Sequence, residues 1–143
     1  MEIIKAYKVL TRNDSGETNS HQSGITIPKE IANSKIFPTL GKDKLNPREE
    51  LIFYDDESNM WSFQYIYYND IYFGKDKKHG HDEHRLTCVK QYFKKNNIIS
   101  GDTICFSIDS RGVRHISFEK NGKTLNENSD VIKLGNGWRY IAI

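Results

Sequence analysis

The chain has no long apolar run, only two cysteines, three prolines and little net charge, and each shortage removes a class of protein. The apolar runs are a handful of residues long, far short of the roughly 20 needed to cross a bilayer as a helix, so no membrane role is expected. Cys88 and Cys105 form no CxxC pair and follow no secretory leader; they are expected to be reduced, buried thiols in a cytoplasmic, prokaryotic protein. A formal net charge of +2 does not by itself announce a nucleic-acid binder. Any such role has to come from how the charges are placed. What the chain does have is aromatic mass: 8 Tyr, 7 Phe and 2 Trp in 143 residues, which bury large area and favour strands. That length suits one globular domain, residues 1–143, with a workable core.

Period and punctuation sketch a chain of short strands. Glu2 to Leu10 reads as a first strand, Ile25-Thr26-Ile27 as a second, and Pro28 suits the first turn of a helix running through Lys35. Strands are expected at Leu51 to Tyr54, Trp61 to Tyr68 and Ile71 to Phe73, with a turn over Asp55 to Asn59. Leu86, Val89 and Phe93 recur at helical spacing and predict a helix over Arg85 to Lys95. Gly101-Asp102 leads into a strand over Thr103 to Ile108, Asp109 to Gly112 turns into Val113 to Glu119, and Trp138 to Ile143 closes the sheet. The class is mainly β with two short helices, α+β, and a small barrel suits it better than a doubly wound sheet. Trp61, Phe63, Tyr65, Phe106 and Trp138 are assigned to the core rather than to base stacking, which duplex reading does not need.

Two segments are too polar for a core. Thr11 to Gly24 holds no large apolar side chain, and Tyr68 to Thr87 packs three His, four Lys or Arg, four carboxylates and two Gly together. The HGHDEH core at His79 to His84 approximates the HxHxDH ligand cluster of metallo-hydrolases, but Glu83 stands where Asp is required. Catalytic zinc also needs ligands from distant loops, and downstream the chain offers only His115 and scattered Asp such as Asp130. Three readings therefore compete: a metal-dependent hydrolase, a nucleic-acid contact, or a solvated hairpin serving protein interaction or nothing. Lys75, Lys77, Lys78, His79, His81, His84 and Arg85 supply cations for phosphate, and Glu83 can accept from a cytosine amino group or simply pair with a nearby cation. Imidazoles with an ordinary pKa of about 6.5 would make such binding pH-dependent. Arg12, Asn13, Ser15, Thr18, Asn19, Ser20, His21 and Gln22 form a second run of hydrogen-bonding side chains, with Gly16 and Gly24 permitting close backbone approach. Lys5, Lys8, Lys94 and Lys95 fit either phosphate contacts or plain surface.

The stretch LTRNDSGETNSHQSGITIPKEI, Leu10 to Ile31, resembles the N-terminal effector-binding domain of EcoRII-type restriction endonucleases. Phe37-Pro38, Leu45-Asn46-Pro47, Tyr67-Tyr68-Asn69, Phe73-Gly74-Lys75 and Glu83 to Thr87 continue it as collinear islands over about residues 8 to 90, and GDTICF at Gly101 to Phe106 is similar to the Gly-Asp element of B3 domains in plant transcription factors. The resemblance implies a B3-like seven-stranded open pseudobarrel that lays two arms in the major groove of a short specific site. By position the N-arm is Arg12 to Gln22, with Arg12, Asn13, Asp14, Ser15, Thr18, Asn19, Ser20, His21 and Gln22 at the DNA. The C-arm is Lys75 to Arg85, with reading roles at Lys75, Lys77, Glu83 and Arg85. This chain departs from the pattern at Lys77, where Arg is expected, at His84, which replaces a Lys, and over Lys78 to His81, which read as an insertion.

The expected function is sequence-specific binding of double-stranded DNA as the recognition or effector module of a restriction endonuclease. No catalytic residue, metal or cofactor is expected. Glu119-Lys120 lacks the upstream carboxylate pair of a PD-(D/E)xK nuclease, and Asp55-Asp56-Glu57 reads as a turn. The nuclease catalytic domain is expected elsewhere in a longer parent chain or on a partner subunit.

Overall fold

The computed structural model describes residues 4–15, 24–120, 131–133 and 137–142. Its strands are β1 (Ile4–Val9), β2 (Ile25–Ile27), β3 (Arg48–Tyr54), β4 (Met60–Tyr68), β5 (Glu83–Thr87), β6 (Thr103–Ile108), β7 (Arg114–Glu119), β8 (Val131–Lys133) and β9 (Trp138–Ala142). They form one open sheet in the order β2-β5-β4-β3-β7-β6-β1-β9-β8. Seven strands have five or more residues, and the three-residue β2 and β8 occupy the two edges. Every pairing is antiparallel except β3 with β7, which meet in parallel at Tyr54 and His115. Two short helices, α1 (Lys29–Ala32) and α2 (Lys90–Lys95), join the sheet.

Strands spaced about 4.8 Å apart would span close to 40 Å if nine of them lay flat. Yet Ile25 at one edge and Trp138 near the other belong to the same buried cluster, so the sheet curls around a single core. Aromatics fill its centre. Phe37 stacks on Tyr65 with ring centroids 4.7 Å apart, Phe53 meets Phe63 at 5.6 Å, and Phe106 meets Trp138 at 6.2 Å. Burying each such side chain contributes about 1.5–3 kcal/mol. The aromatic face expected on Trp61, Phe63 and Tyr65 is therefore the core face of β4.

Several elements depart from their sequence expectation. Asp70–Phe73 is a 3-10 helix, not a strand, and Gly74 at φ 101° ends it in the left-handed region that glycine tolerates. The segment expected to be one helix from Arg85 is strand as far as Thr87, because β2 and β4 pair with β5 on both sides and that pairing outweighs the helical spacing of Leu86, Val89 and Phe93. Cys88, at φ 66°, breaks the chain before α2 and is exposed, contrary to the expected buried thiol. Cys105 is half-buried, and burial raises the pKa of its thiol. Helix α1 stops at Ala32, short of Lys35, with Pro28 immediately before it. The Pro28 carbonyl accepts from the Ile31 and Ala32 amides at 3.0 and 2.8 Å.

Candidate nucleic-acid interface

The alternation of β1 turns Ile4, Ala6 and Lys8 inward. A lysine at a core-facing position needs a counter-charge, and Asp14 supplies it at 3.3 Å, with both side chains largely buried. Lys8 is accordingly neither a phosphate contact nor plain surface. The turn after β1 holds Asp14 in place. The Thr11 amide donates to the Asp14 carboxylate at 3.0 Å, and the Asp14 amide donates to the Thr11 hydroxyl at 3.2 Å. The Ser15 hydroxyl donates to the Arg12 carbonyl at 3.1 Å. Arg12 and Asn13 are thereby left exposed at the start of the N-arm, while the Asp14 carboxylate faces back toward the body. Thr18, Asn19, Ser20, His21 and Gln22 lie outside the described residues. The chain is described again from Gly24, at φ 134°, where a Cβ would stand 2.9 Å from the Leu86 carbonyl oxygen, so glycine is required for β2 to lie against β5.

The C-arm begins at a buried pin. Asn69 has no exposed surface; its side-chain oxygen accepts from the Asn46 amide at 2.9 Å, and its side-chain nitrogen donates to the Lys44 and Gly41 carbonyls at 2.9 and 3.4 Å. Asn46 reciprocates, accepting from the Asn69 amide at 3.1 Å. This fastens the Gly41 to Asn46 segment to the arm, and Lys42 sits over the Tyr72 ring at 4.3 Å. Beyond Gly74 the arm turns on Asp76, whose carbonyl accepts from the Gly80 amide at 2.7 Å and whose carboxylate accepts from the His79 amide at 2.8 Å. Gly80 passes so close to Ile71 and Asp76 that any Cβ would collide with both. Lys75, Lys77 and Lys78 are exposed and enter no ion pair among the described residues.

The three imidazoles do not converge. His79 lies 2.9 Å from the Asp76 carboxylate, and His81 lies 3.2 Å from that of Asp70, which also accepts from the His81 amide and has its pKa lowered by that bond first. His84 turns the other way, its ring parallel to Tyr67 at 4.1 Å. Burial, then the Lys29 charge, lower its pKa, so the ring is neutral near pH 7 and is not the charged phosphate contact the sequence invited. Among the described residues no three His, Cys, Asp or Glu are grouped to hold a metal ion.

Strand alternation sorts the end of the arm. His84 and Leu86 face inward, while Glu83 and Arg85 share the opposite face and form an ion pair. Asp82, which sequence reasoning left without a role, accepts from Tyr67 at 2.6 Å, Lys29 at 2.9 Å and Tyr72 at 3.1 Å. Those bonds, the Tyr67 hydroxyl first, lower its pKa to about 2. Its parity with His84 and Leu86 was the available signal, hidden once residues 85 to 95 were taken as a helix. Asp55 caps its turn, accepting from the Glu57 and Asn59 amides at 2.9 Å each, and Lys120 donates to the buried Asp102 carboxylate at 2.6 Å.

This arrangement, a curled sheet carrying two polar arms on neighbouring strands, has relatives. A family model described as restriction endonuclease EcoRII, N-terminal, matches residues 2–103. The chain belongs to that family. The EcoRII N-terminal match takes in both arms and reaches the first residue of β6. Among curated proteins, auxin response factor 11 of rice is 38% identical over 72 residues, half of this chain but 6% of its own length. Auxin response factor 7 of Arabidopsis thaliana is 31% identical over 105 residues, covering 73% of this chain and 8% of that protein. The chain thus spans less than a tenth of these relatives, and their plant origin gives no support to a prokaryotic source. The protein in a solved Arabidopsis FUS3–DNA complex superposes with a TM-score of 0.61 at 19% identity, over 81% of this chain and 96% of that one, which shows the shared B3-type fold. No described helix is long and apolar enough to cross a membrane.

Proposed function

We propose that residues 1–143 act as one sequence-specific reader of double-stranded DNA, with the N-arm and C-arm in the major groove. The observation that carries this reading is the C-arm: a loop whose lysines are exposed and enter no ion pair among the described residues runs into a strand that sets Glu83 and the largely buried Arg85 side by side on the face opposite His84 and Leu86. Exposed lysines suit phosphates without regard to sequence, whereas a carboxylate beside a guanidinium suits base edges, where Arg pairs with guanine and Glu accepts from cytosine. Lys75 and Lys77 complete the reading set. The FUS3–DNA complex supports the use of this fold on DNA. The module itself is non-catalytic on this reading, and the family's name supports its attachment to a restriction nuclease, in the same parent chain or on a partner subunit.

Selection from a random duplex pool, followed by anisotropy with selected and scrambled duplexes at two salt concentrations, tests the proposal. Preference for the selected site should come with a steep salt dependence, since phosphate contacts release counterions. Arg85→Ala and Glu83→Ala should each lower that preference by roughly tenfold, the scale of a lost base contact, while binding to scrambled duplex persists. Absence of duplex affinity would sink the reading in favour of a protein-interaction module.

A further inference from the structure

The neck of the C-arm closes on one carboxylate. Tyr72 stands just before the loop of residues 73–81 and Asp82 just after it, and the Tyr72 hydroxyl donates to Asp82 at 3.1 Å. The same carboxylate takes the Tyr67 hydroxyl of β4 at 2.6 Å and the Lys29 ammonium of α1 at 2.9 Å. Three elements, α1, β4 and the 3-10 helix, are thus referred to a single side chain, directly ahead of the first residue of β5. Among the described residues, one backbone bond, from the Ile71 amide to the His81 carbonyl at 3.3 Å, and the Asp70–His81 contacts share the neck with it.

Asp82 has the parity of His84 and Leu86, not of Glu83 and Arg85, so its side chain lies on the face away from the proposed reading pair. A carboxylate there has no contact of its own to make with a base. It fixes, instead, where the loop leaves and where the reading strand begins. A slip of one residue at this point would turn Glu83 and Arg85 to the other face.

We propose that Asp82 is a positioning residue for DNA recognition: by clamping Lys29, Tyr67 and Tyr72 together it sets the register of the C-arm, and hence the discrimination between duplex sequences rather than the affinity for duplex as such. The inference rests on the DNA-reading function proposed above. It makes a prediction that electrostatics alone reverses. Removing a negative charge and releasing Lys29 should leave binding to scrambled duplex unchanged or stronger, while the preference for the selected site falls.

The test measures selected-site and scrambled-duplex affinity, together with thermal unfolding, for wild type, Asp82→Asn, Lys29→Gln and Tyr72→Phe. Asp82→Asn should lose roughly tenfold in preference, comparable to one base contact, with no loss of scrambled-duplex affinity. Tyr72→Phe keeps the ring under Lys42 and removes only the hydroxyl, so it should fold normally and lose preference by a smaller factor in the same direction. That variant carries the test if Asp82→Asn is unfolded at the assay temperature. An unchanged preference in Tyr72→Phe and Asp82→Asn, or equal loss of both affinities in step with the unfolded fraction, overturns the positioning role while leaving the DNA-reading function standing. If the wild-type chain binds no duplex, both proposals fall together.

Discussion

The root and the tip of the C-arm are built from the same residue types and do opposite things with them. At the root, Asp82 is matched to Lys29, and the buried Asn69 amide closes three side-chain hydrogen bonds. At the tip, Asp76 holds only its own turn and His79, and three lysines point to solvent without an ion-pair partner among the described residues. The difference is desolvation. Where water is excluded, a charge or amide must be answered by a partner, so polar residues become structural; where water remains, they stay available to a ligand. The same contrast recurs in the N-arm, where Asp14 turns in to Lys8 and Arg12 stays exposed.

The largest effect should come from breaking the root. Asn69→Ala leaves the Gly41 and Lys44 carbonyls and the Asn46 amide without their partner and should cost about 3 kcal/mol of stability, read as a lower urea midpoint. A loss below about 1 kcal/mol would mean that water replaces the amide and that the root is no more buried than the tip. Next comes the tip. Lys78→Ala should weaken binding to every duplex and lower the salt slope by about 0.9, and Lys77→Ala should weaken chiefly the selected one, with the melting temperature unchanged in both. A fall in melting temperature instead would give these lysines a structural role and erase the contrast.

Smaller effects should separate the histidines. His79, beside the tip lysines, should matter for binding: His79→Gln should weaken binding to every duplex by less than Lys78→Ala does, with the melting temperature unchanged. His84 should instead appear in stability. Its pKa is lowered in the folded chain, so between that value and the ordinary 6.5 the unfolded chain holds more protons; stability is complete above about pH 6.5 and declines as pH falls below it. The slope should be small, absent in His84→Gln, and distinct from the acid loss below about pH 4, where the unfolded chain protonates Asp82 while the fold holds its pKa at about 2.

Much of the chain was legible before any coordinates. Strands β1, β2, β4, β6 and β7 announce themselves by β-branched and aromatic alternation bounded by Gly, Asp and Asn, and the aromatic core follows from the same pattern. The two arms stood out because segments without large apolar side chains cannot lie in a core. What misled was local spacing. Leu86, Val89 and Phe93 fit a helix, and Ile71 to Phe73 fit a strand, because a short window cannot show that β2 and β4 wait on either side of β5, or that the buried Asn69 and left-handed Gly74 bracket one helical turn.

The site shows the same division. That the arms are polar, that Glu83 and Arg85 share a face if β5 is a strand, and that Gly24 permits close approach all follow from residue type and period. Which charges remain available does not. Lys8 and Lys77 are the same residue in the sequence, as are Asp14 and Asp76; the fold buries one of each and exposes the other. The sequence by itself determined the class of fold, the aromatic core and the location of the arms, because these depend on how many apolar groups recur and at what period. Only the tertiary structure decided that the imidazoles of HGHDEH part, that His84 stacks on Tyr67 and that Asp82 closes the arm, because each depends on partners the sequence period does not show, 3 residues away for His79 and up to 53 for Asp82, and on how much water their approach excludes.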